Sequence, residues 1–116
     1  MSEQRNNSNK MVSPKNFGPK LWFILHSVAA KYPTFPSEGE KFEMYHLLVG
    51  LPAIVPCELC KSHTRAWLAT HKNEIAHVIT SKNLLFQFFL DFHNDVNAQL
   101  NKRKWTLIEA MRQYNY

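Results

Sequence analysis

Apolar residues recur three and four apart along this chain rather than two apart, and glycine is confined to Gly18, Gly39 and Gly50. Leu21, Ile24, Leu25, Val28, Ala29 and Tyr32 lie at helical spacing and predict a first helix, which Pro33 ends because it has no amide to donate. Ser37-Glu38-Gly39-Glu40 has the form of a capping box, in which a hydroxyl and a returning carboxylate satisfy the first free amides, ahead of a second helix through Phe42, Tyr45, Leu48 and Leu51. Pro52 and Pro56 bracket a short turn, and Pro56 suits the first turn of a third helix reaching about Thr70, with Cys57 also in that turn. Ser81 predicts the cap of a fourth helix whose Leu85, Phe88, Phe89, Phe92, Val96 and Leu100 form an apolar stripe, broken near 101–104. A short fifth helix is expected from about Trp105 to Gln113. No stretch alternates with period two, so the fold class expected is all-α, a four-helix bundle plus a short fifth helix, and not a thioredoxin-like sheet.

The chain has 116 residues, 45% of them apolar, which suits one domain and is too small for two. Residues 1–15 read as a polar, disordered tail and residues 16–116 as the folded domain. The longest apolar stretch, Leu84 to Phe92, is interrupted by Gln87 and Asp91 and is far shorter than the roughly 20 residues of a membrane span, so no membrane partner is expected. Residues 1–20 have no apolar segment of the secretory kind, which points to a cytoplasmic location. Of the net charge of +5, Arg5, Lys10, Lys15 and Lys20 against Glu3 place +3 in the leading segment, so the body carries only +2 and no nucleic acid partner is expected. There is no glycine-rich phosphate loop; a nucleotide must be held by side chains.

Pro56-Cys57-Glu58-Leu59-Cys60 contains the only two cysteines. In a reducing compartment such a pair is more apt for transient redox chemistry or metal binding than for stapling a fold. A helix start favours thiolate through its free amides and dipole, Lys61 and His63 add positive charge, and a pair three apart can close one reversible disulfide. Cys57 is expected to be the more exposed sulfur, with Cys60, His63 and Trp67 facing inward at i, i+3 and i+7. Zinc is the rival: Cys57, Cys60, His71 and His77 read as Cys-x2-Cys-x10-His-x5-His, near a finger pattern but short in the middle, and would make the chain a zinc-stabilised helical binding module. Two ordinary core cysteines are the third possibility. The first helix carries Trp22, His26 and Ala29 beside its main row, a set that core packing alone can also produce. In the fourth, His93 and Asn97 share a face, with Lys102 just beyond, and asparagines at 94 and 97 in so apolar a helix require partners able to repay their desolvation. Adenine edges and a pyrophosphate qualify; a solvated polar bundle end is the bland alternative.

Taken in order, Gly18-Pro19-Lys20-Leu21-Trp22, Leu25-His26, Ala29 with Tyr32-Pro33, Pro56-Cys57-x-x-Cys60 and His93-Asn94-x-Val96-Asn97-x-x-Leu100-x-Lys102 resemble the Erv family of FAD-linked sulfhydryl oxidases, across roughly residues 16 to 105. The resemblance implies a helical bundle with non-covalent FAD at its mouth, no catalytic metal, and usually a homodimer. It implies flavin-pocket roles for Gly18, Trp22, His26 and Tyr32, an adenosine and phosphate side lined by His93, Asn94, Val96, Asn97 and Lys102, and further pocket positions at His63 and Trp105. It implies that a substrate dithiol reduces a Cys57–Cys60 disulfide, that Cys60 passes the electron pair to FAD, and that O2 takes it to give hydrogen peroxide. Larger members have a shuttle disulfide and a structural disulfide; this chain has cysteines for neither, and Ala69 and Leu107 stand about where the structural pair would fall. The expected partner is therefore a thiol substrate protein or a small thioredoxin-like carrier. Short oxidases of large cytoplasmic DNA viruses show the same economy, which implies a viral protein of the host cytoplasm and the virion.

Overall fold

In the computed structural model, residues 13–116 are described. The helices are α1 (Pro14–Ala30), α2 (Glu38–Val49), α3 (Glu58–Thr70), α4 (Ile75–Val78), α5 (Lys82–Gln99) and α6 (Leu107–Gln113), with 3-10 turns at Leu51–Ile54 and Lys72–Glu74. The expected architecture of four long helices and a short C-terminal one is the one found, and no strand occurs among the described residues. The expected tail at residues 1–15 lies largely outside them.

The element ends show how local chemistry set the frame. Helix α1 starts at Pro14, earlier than the apolar row suggested, because Pro14 needs no amide partner at the first helical position and Pro19 is accommodated inside the helix. Both arms of the capping box at α2 form: Glu40 N–H donates to Ser37 Oγ at 3.1 Å and Ser37 N–H to Glu40 Oε1 at 2.8 Å. Helix α3 starts one step later than expected. Pro56 stays outside it, and Cys57 is the N-cap with extended backbone angles, φ −119° and ψ 125°. Thr106 caps α6, which leaves Trp105 in the preceding segment rather than in the helix. Helix α5 ends in a Schellman motif: Asn101 takes φ 57°, in the left-handed region that asparagine tolerates, while Lys102 N–H donates to Asn97 O at 2.8 Å and Asn101 N–H to Ala98 O at 3.3 Å.

Helix α5 is the core of the bundle, and its pairing with α1 is the most extensive helix contact in the molecule. Leu85, Phe86 and Phe89 are completely buried, as are Ala29 and Ala30 on α1. Tyr32, just beyond α1, donates its hydroxyl to Ile79 O at 2.6 Å and so ties that end of the helix to the residue following α4. Two positions expected in the apolar row of α1, Ile24 and Val28, are exposed, as are Phe42 and Tyr45 on α2, whose rings meet His46.

One fully buried residue of α1 is polar. His26 is 0% exposed, and its Nε2 shares a 2.9 Å hydrogen bond with His93 Nδ1. Burial, and secondarily the neighbouring His93, pushes the His26 pKa down to about 3; burial and then the Lys102 charge push that of His93 to about 4. Both rings are therefore neutral in the folded protein, whereas in the unfolded chain they protonate near pH 6.5, so acid favours unfolding. Thermal stability is expected to fall already between about pH 6.5 and 5, before carboxylates titrate, and less so in His93→Gln. Melting curves at successive pH values check this; a flat profile across that window in the parent protein would contradict it.

Candidate redox and cofactor site

At the α3 N-terminus the two cysteines are free thiols, and both are half-buried. The expected contrast of an exposed Cys57 and an inward Cys60 is thus not one of exposure class. The difference lies in their electrostatics. Helical geometry at Glu58 and Leu59 holds the two Cα atoms about 5 Å apart, within the range a disulfide spans. Cys60 N–H donates to Cys57 Sγ at 3.4 Å, so the sulfur takes the place of an N-cap oxygen. For Cys57, burial opposes ionisation, but hydrogen bonds from the Cys60 thiol and from the Cys60 and Leu59 amides outweigh it and bring the pKa below the usual thiol value. For Cys60, burial and then the neighbouring Cys57 push it up to about 11. Proton and thiolate are therefore divided unequally across one helical turn.

Past Cys60, the inward face of α3 packs on α5. Trp67 stacks on Phe92 at 4.7 Å between ring centroids and meets Phe88 edge-on at 4.9 Å. His63 lies over Phe92 at 6.3 Å, with Nε2 3.0 Å from Asp95 Oδ2. That approach is close enough for an ion pair but is out of line for a hydrogen bond, and Nε2 is left without one. On the α1 side, Trp22 and His93 stack at 4.1 Å with planes 6° apart, so a third ring does not fit between them as they stand. Phe92 touches the edge of Trp22 at 5.2 Å. Through Phe92, the aromatic surfaces of α1, α3 and α5 are continuous.

The other expected positions fall into different settings. Asn97 is 5% exposed and Val96 half-buried. Lys102 is exposed, yet its charge reaches His93. The amide of Asn94 is occupied by the chain itself: Nδ2 donates to Trp105 O and Oδ1 accepts from Trp105 N–H, both at 2.8 Å. The demand for a partner inferred at Asn94 is met by a backbone clamp that fixes Trp105 beside α5. Gly18 is half-buried, and an added Cβ would meet nothing within 4 Å, so packing within the chain does not require a glycine there. Tyr32 lies just beyond the end of α1, with its hydroxyl already bonded to Ile79 O. Asp95 and Tyr114 were not singled out by the sequence. Asp95 had a signal, as it lies within the quoted 93–97 motif, whereas Tyr114 meets His26 across 88 positions and no local pattern marks it.

The zinc set does not assemble. Cys57 and His71 sit at opposite ends of the continuous helix α3, about 20 Å apart by its rise, where a finger needs an intervening turn. His71 stacks on Trp67 at 3.9 Å and uses Nδ1 against Trp67 O at 2.8 Å. Among the described residues no three His, Cys, Asp or Glu side chains converge as a metal site.

A flat, polar-edged cofactor fits what remains. Three buried atoms, His26 Nδ1, His63 Nε2 and Asn97 Nδ2, have no hydrogen-bond partner among the described residues. Buried polar atoms are rarely left so, because each unmet group costs about 1–3 kcal/mol. All three occur on the helices that carry the aromatic surface, and the edges of flavin and purine rings supply donors and acceptors of the kind they lack.

Comparison with known proteins agrees with this geometry. The model of the Erv1 / Alr family matches residues 19–115. The putative FAD-linked sulfhydryl oxidase 096R of Invertebrate iridescent virus 3 is 34% identical over 103 residues, which cover 89% of this chain and 68% of that protein. Its counterpart 347L of Invertebrate iridescent virus 6 is 30% identical over 94 residues, 78% of this chain and 85% of that protein. The crystal structure of the FAD binding domain of Erv1 from Saccharomyces cerevisiae has a TM-score of 0.77 at 29% identity, covering 88% of this chain and 93% of that one. With the paired cysteines at a helix start, the aromatic surface beside them and the family match across nearly the whole described chain, this protein belongs to the Erv1/Alr family of FAD-linked sulfhydryl oxidases.

Proposed function

We propose that this chain forms disulfides in a substrate protein or a small dithiol carrier through a reversible Cys57–Cys60 disulfide, with O2 as final electron acceptor and hydrogen peroxide as product. The observation that carries the reading is the unequal cysteine pair capping α3. One substrate thiolate attacks Cys57 of the disulfide and Cys60 is released as thiolate. The second substrate thiolate attacks the first substrate sulfur, closing the substrate disulfide and expelling Cys57. Depressed thiol pKa makes Cys57 the good leaving group in that second step, because leaving ability rises as thiol pKa falls. Two electrons then reside on the Cys57–Cys60 dithiol. When bound, FAD supplies a two-electron acceptor for that dithiol which dioxygen can reoxidise. On this reading His26, His63 and Asn97 bind it through buried atoms that lack a hydrogen bond, the stacked Trp22 and His93 rings lie beside it, and Lys102 provides a cation for phosphate. Asn94 acts indirectly, by holding Trp105.

On this reading the substrate dithiol meets Cys57, the residue that caps the start of α3. The exposed apolar faces of α1 (Phe23, Ile24, Val28) and α2 (Phe42, Tyr45, Val49) support a homodimer packed through these helices. The described helices include none long and apolar enough to cross a membrane, and a cytoplasmic site of action, in the host cell if the chain is viral, agrees with reduced thiols as substrate.

Three outcomes are expected. Cys57→Ser and Cys60→Ser each reduce oxygen consumption with dithiothreitol to background while the visible flavin absorption persists; full turnover by either variant would remove the proposed relay. Asn97→Leu removes a buried donor that lacks a partner, so the apoprotein melts at the same or a higher temperature while FAD binds about tenfold or more weakly in a flavin titration. Unchanged FAD affinity would take Asn97 out of the site. Ile24→Glu shifts the protein to monomer in sedimentation velocity if α1 is the dimer face.

A further inference from the structure

The last residues of the chain, 114–116, turn back from α6 onto α1 and the start of α5. The reversal is built in: Asn115 takes φ 52°, and Tyr116 N–H donates to Met111 O at 3.0 Å, the long bond of a Schellman ending. Lys31 Nζ then donates to Asn115 O at 3.0 Å, and the Tyr116 ring rests edge-on against Phe86 at 4.8 Å beneath the Lys82 ammonium, 4.2 Å from the ring centre. Two helices are thereby clasped by one short segment.

This clasp lays Tyr114 on His26. Their ring centroids are 4.6 Å apart and their planes 22° apart. The other rings around His26 belong to α1 and α5 and lie farther off and more tilted: His93 at 5.1 Å and 36°, Phe86 at 5.6 Å and 55°, Trp22 at 5.9 Å and 35°. A neutral imidazole held at one nitrogen by His93 can still swing about that bond. A ring lying face-on against it removes the freedom and keeps water from Nδ1, the atom left without a partner.

We propose that Tyr114 is a positioning residue for His26, fixing the imidazole plane so that Nδ1 stays dry and aimed at the cofactor. The inference rests on the reading of His26 as part of the FAD pocket. Tyr114 is only half-buried and its hydroxyl has no partner among the described residues, so the ring face, and not the hydroxyl, carries the contact.

The test uses the full chain, as holoprotein and after removal and re-addition of FAD. Tyr114→Ala is expected to weaken FAD binding about tenfold, or about 1.4 kcal/mol, the scale of one aromatic pair, with Tyr114→Phe restoring parental affinity. In nitrogen-15 spectra of the apoprotein, the His26 ring in Tyr114→Ala titrates at higher pH than in the parent, because water now reaches it. Tyr114→Leu, which keeps apolar bulk without a flat face, follows Ala if orientation is what counts. Met44→Ala, in the core under α2, serves as the comparison for a general loss of stability and keeps FAD affinity within about twofold. Parental FAD affinity in Tyr114→Ala, or an equal loss in Met44→Ala, would overturn the proposal. His26→Ala separates the two levels: if it binds FAD as the parent does, the pocket assignment fails, whereas if it loses FAD and Tyr114→Ala does not, only the role of Tyr114 fails.

Discussion

Seven of the eighteen residues of α5 are buried, six of them large and apolar, so the helix lies inside the bundle for most of its length and the other elements are placed by packing on it. Helix α1 meets it through Trp22 against Phe92 and His26 against Phe86, and α3 meets it through Trp67 against Phe88 and Phe92. The site follows from this arrangement. Phe92 is touched by Trp22 of α1 and by Trp67 of α3, so a residue that closes the core also joins α1 to the helix carrying the cysteines.

The polar groups near this junction divide into those the fold satisfies and those it leaves open. Asn94 is fully engaged with the Trp105 backbone, and Thr64 donates to Cys60 O at 2.8 Å. His26, His63 and Asn97 each retain one buried atom without a hydrogen bond among the described residues. That division is what an internal ligand site looks like before the ligand is considered, since packing alone would place apolar side chains there at less cost. It also explains how the C-terminal part of the domain is secured with no disulfide. The Asn94 amide, the bond from Arg103 to the Glu109 carboxylate at 2.9 Å, and the clasp of residues 114–116 hold it in the space where cysteines do not occur.

The cysteine pair works on a smaller scale. A single helix start, with Cys57 as the capping residue, lowers one thiol pKa, while the lower hydration one turn further in raises the other. No distant residue is needed for that asymmetry, which is why it can be carried by five consecutive residues. The position of the pair beside the aromatic surface is not local: it depends on α3 lying against α5.

Helix existence, the capping box at Ser37 and the placement of Pro56 to Cys60 at a helix start were legible in the chain because each is governed by contacts within four residues, whereas the capping box at Thr106 went unread and the last helix was expected to begin at Trp105. The ordered set of motifs from Gly18 to Lys102 also indicated the family. Other features were decided only when the helices packed. Spacing counted Cys57 and His71 as metal-ligand candidates, but one continuous helix keeps them apart. Helical periodicity put Ile24 and Val28 in the core, yet both are exposed among the described residues. Asn94 announced a need for a partner but not that the partner was the Trp105 backbone, and nothing local linked Tyr114 to His26. Short-range hydrogen bonding and periodicity are written into neighbouring residues, whereas the mates of a side chain across 11 or 88 positions are set by how whole helices dock, which depends on the summed shape of the core.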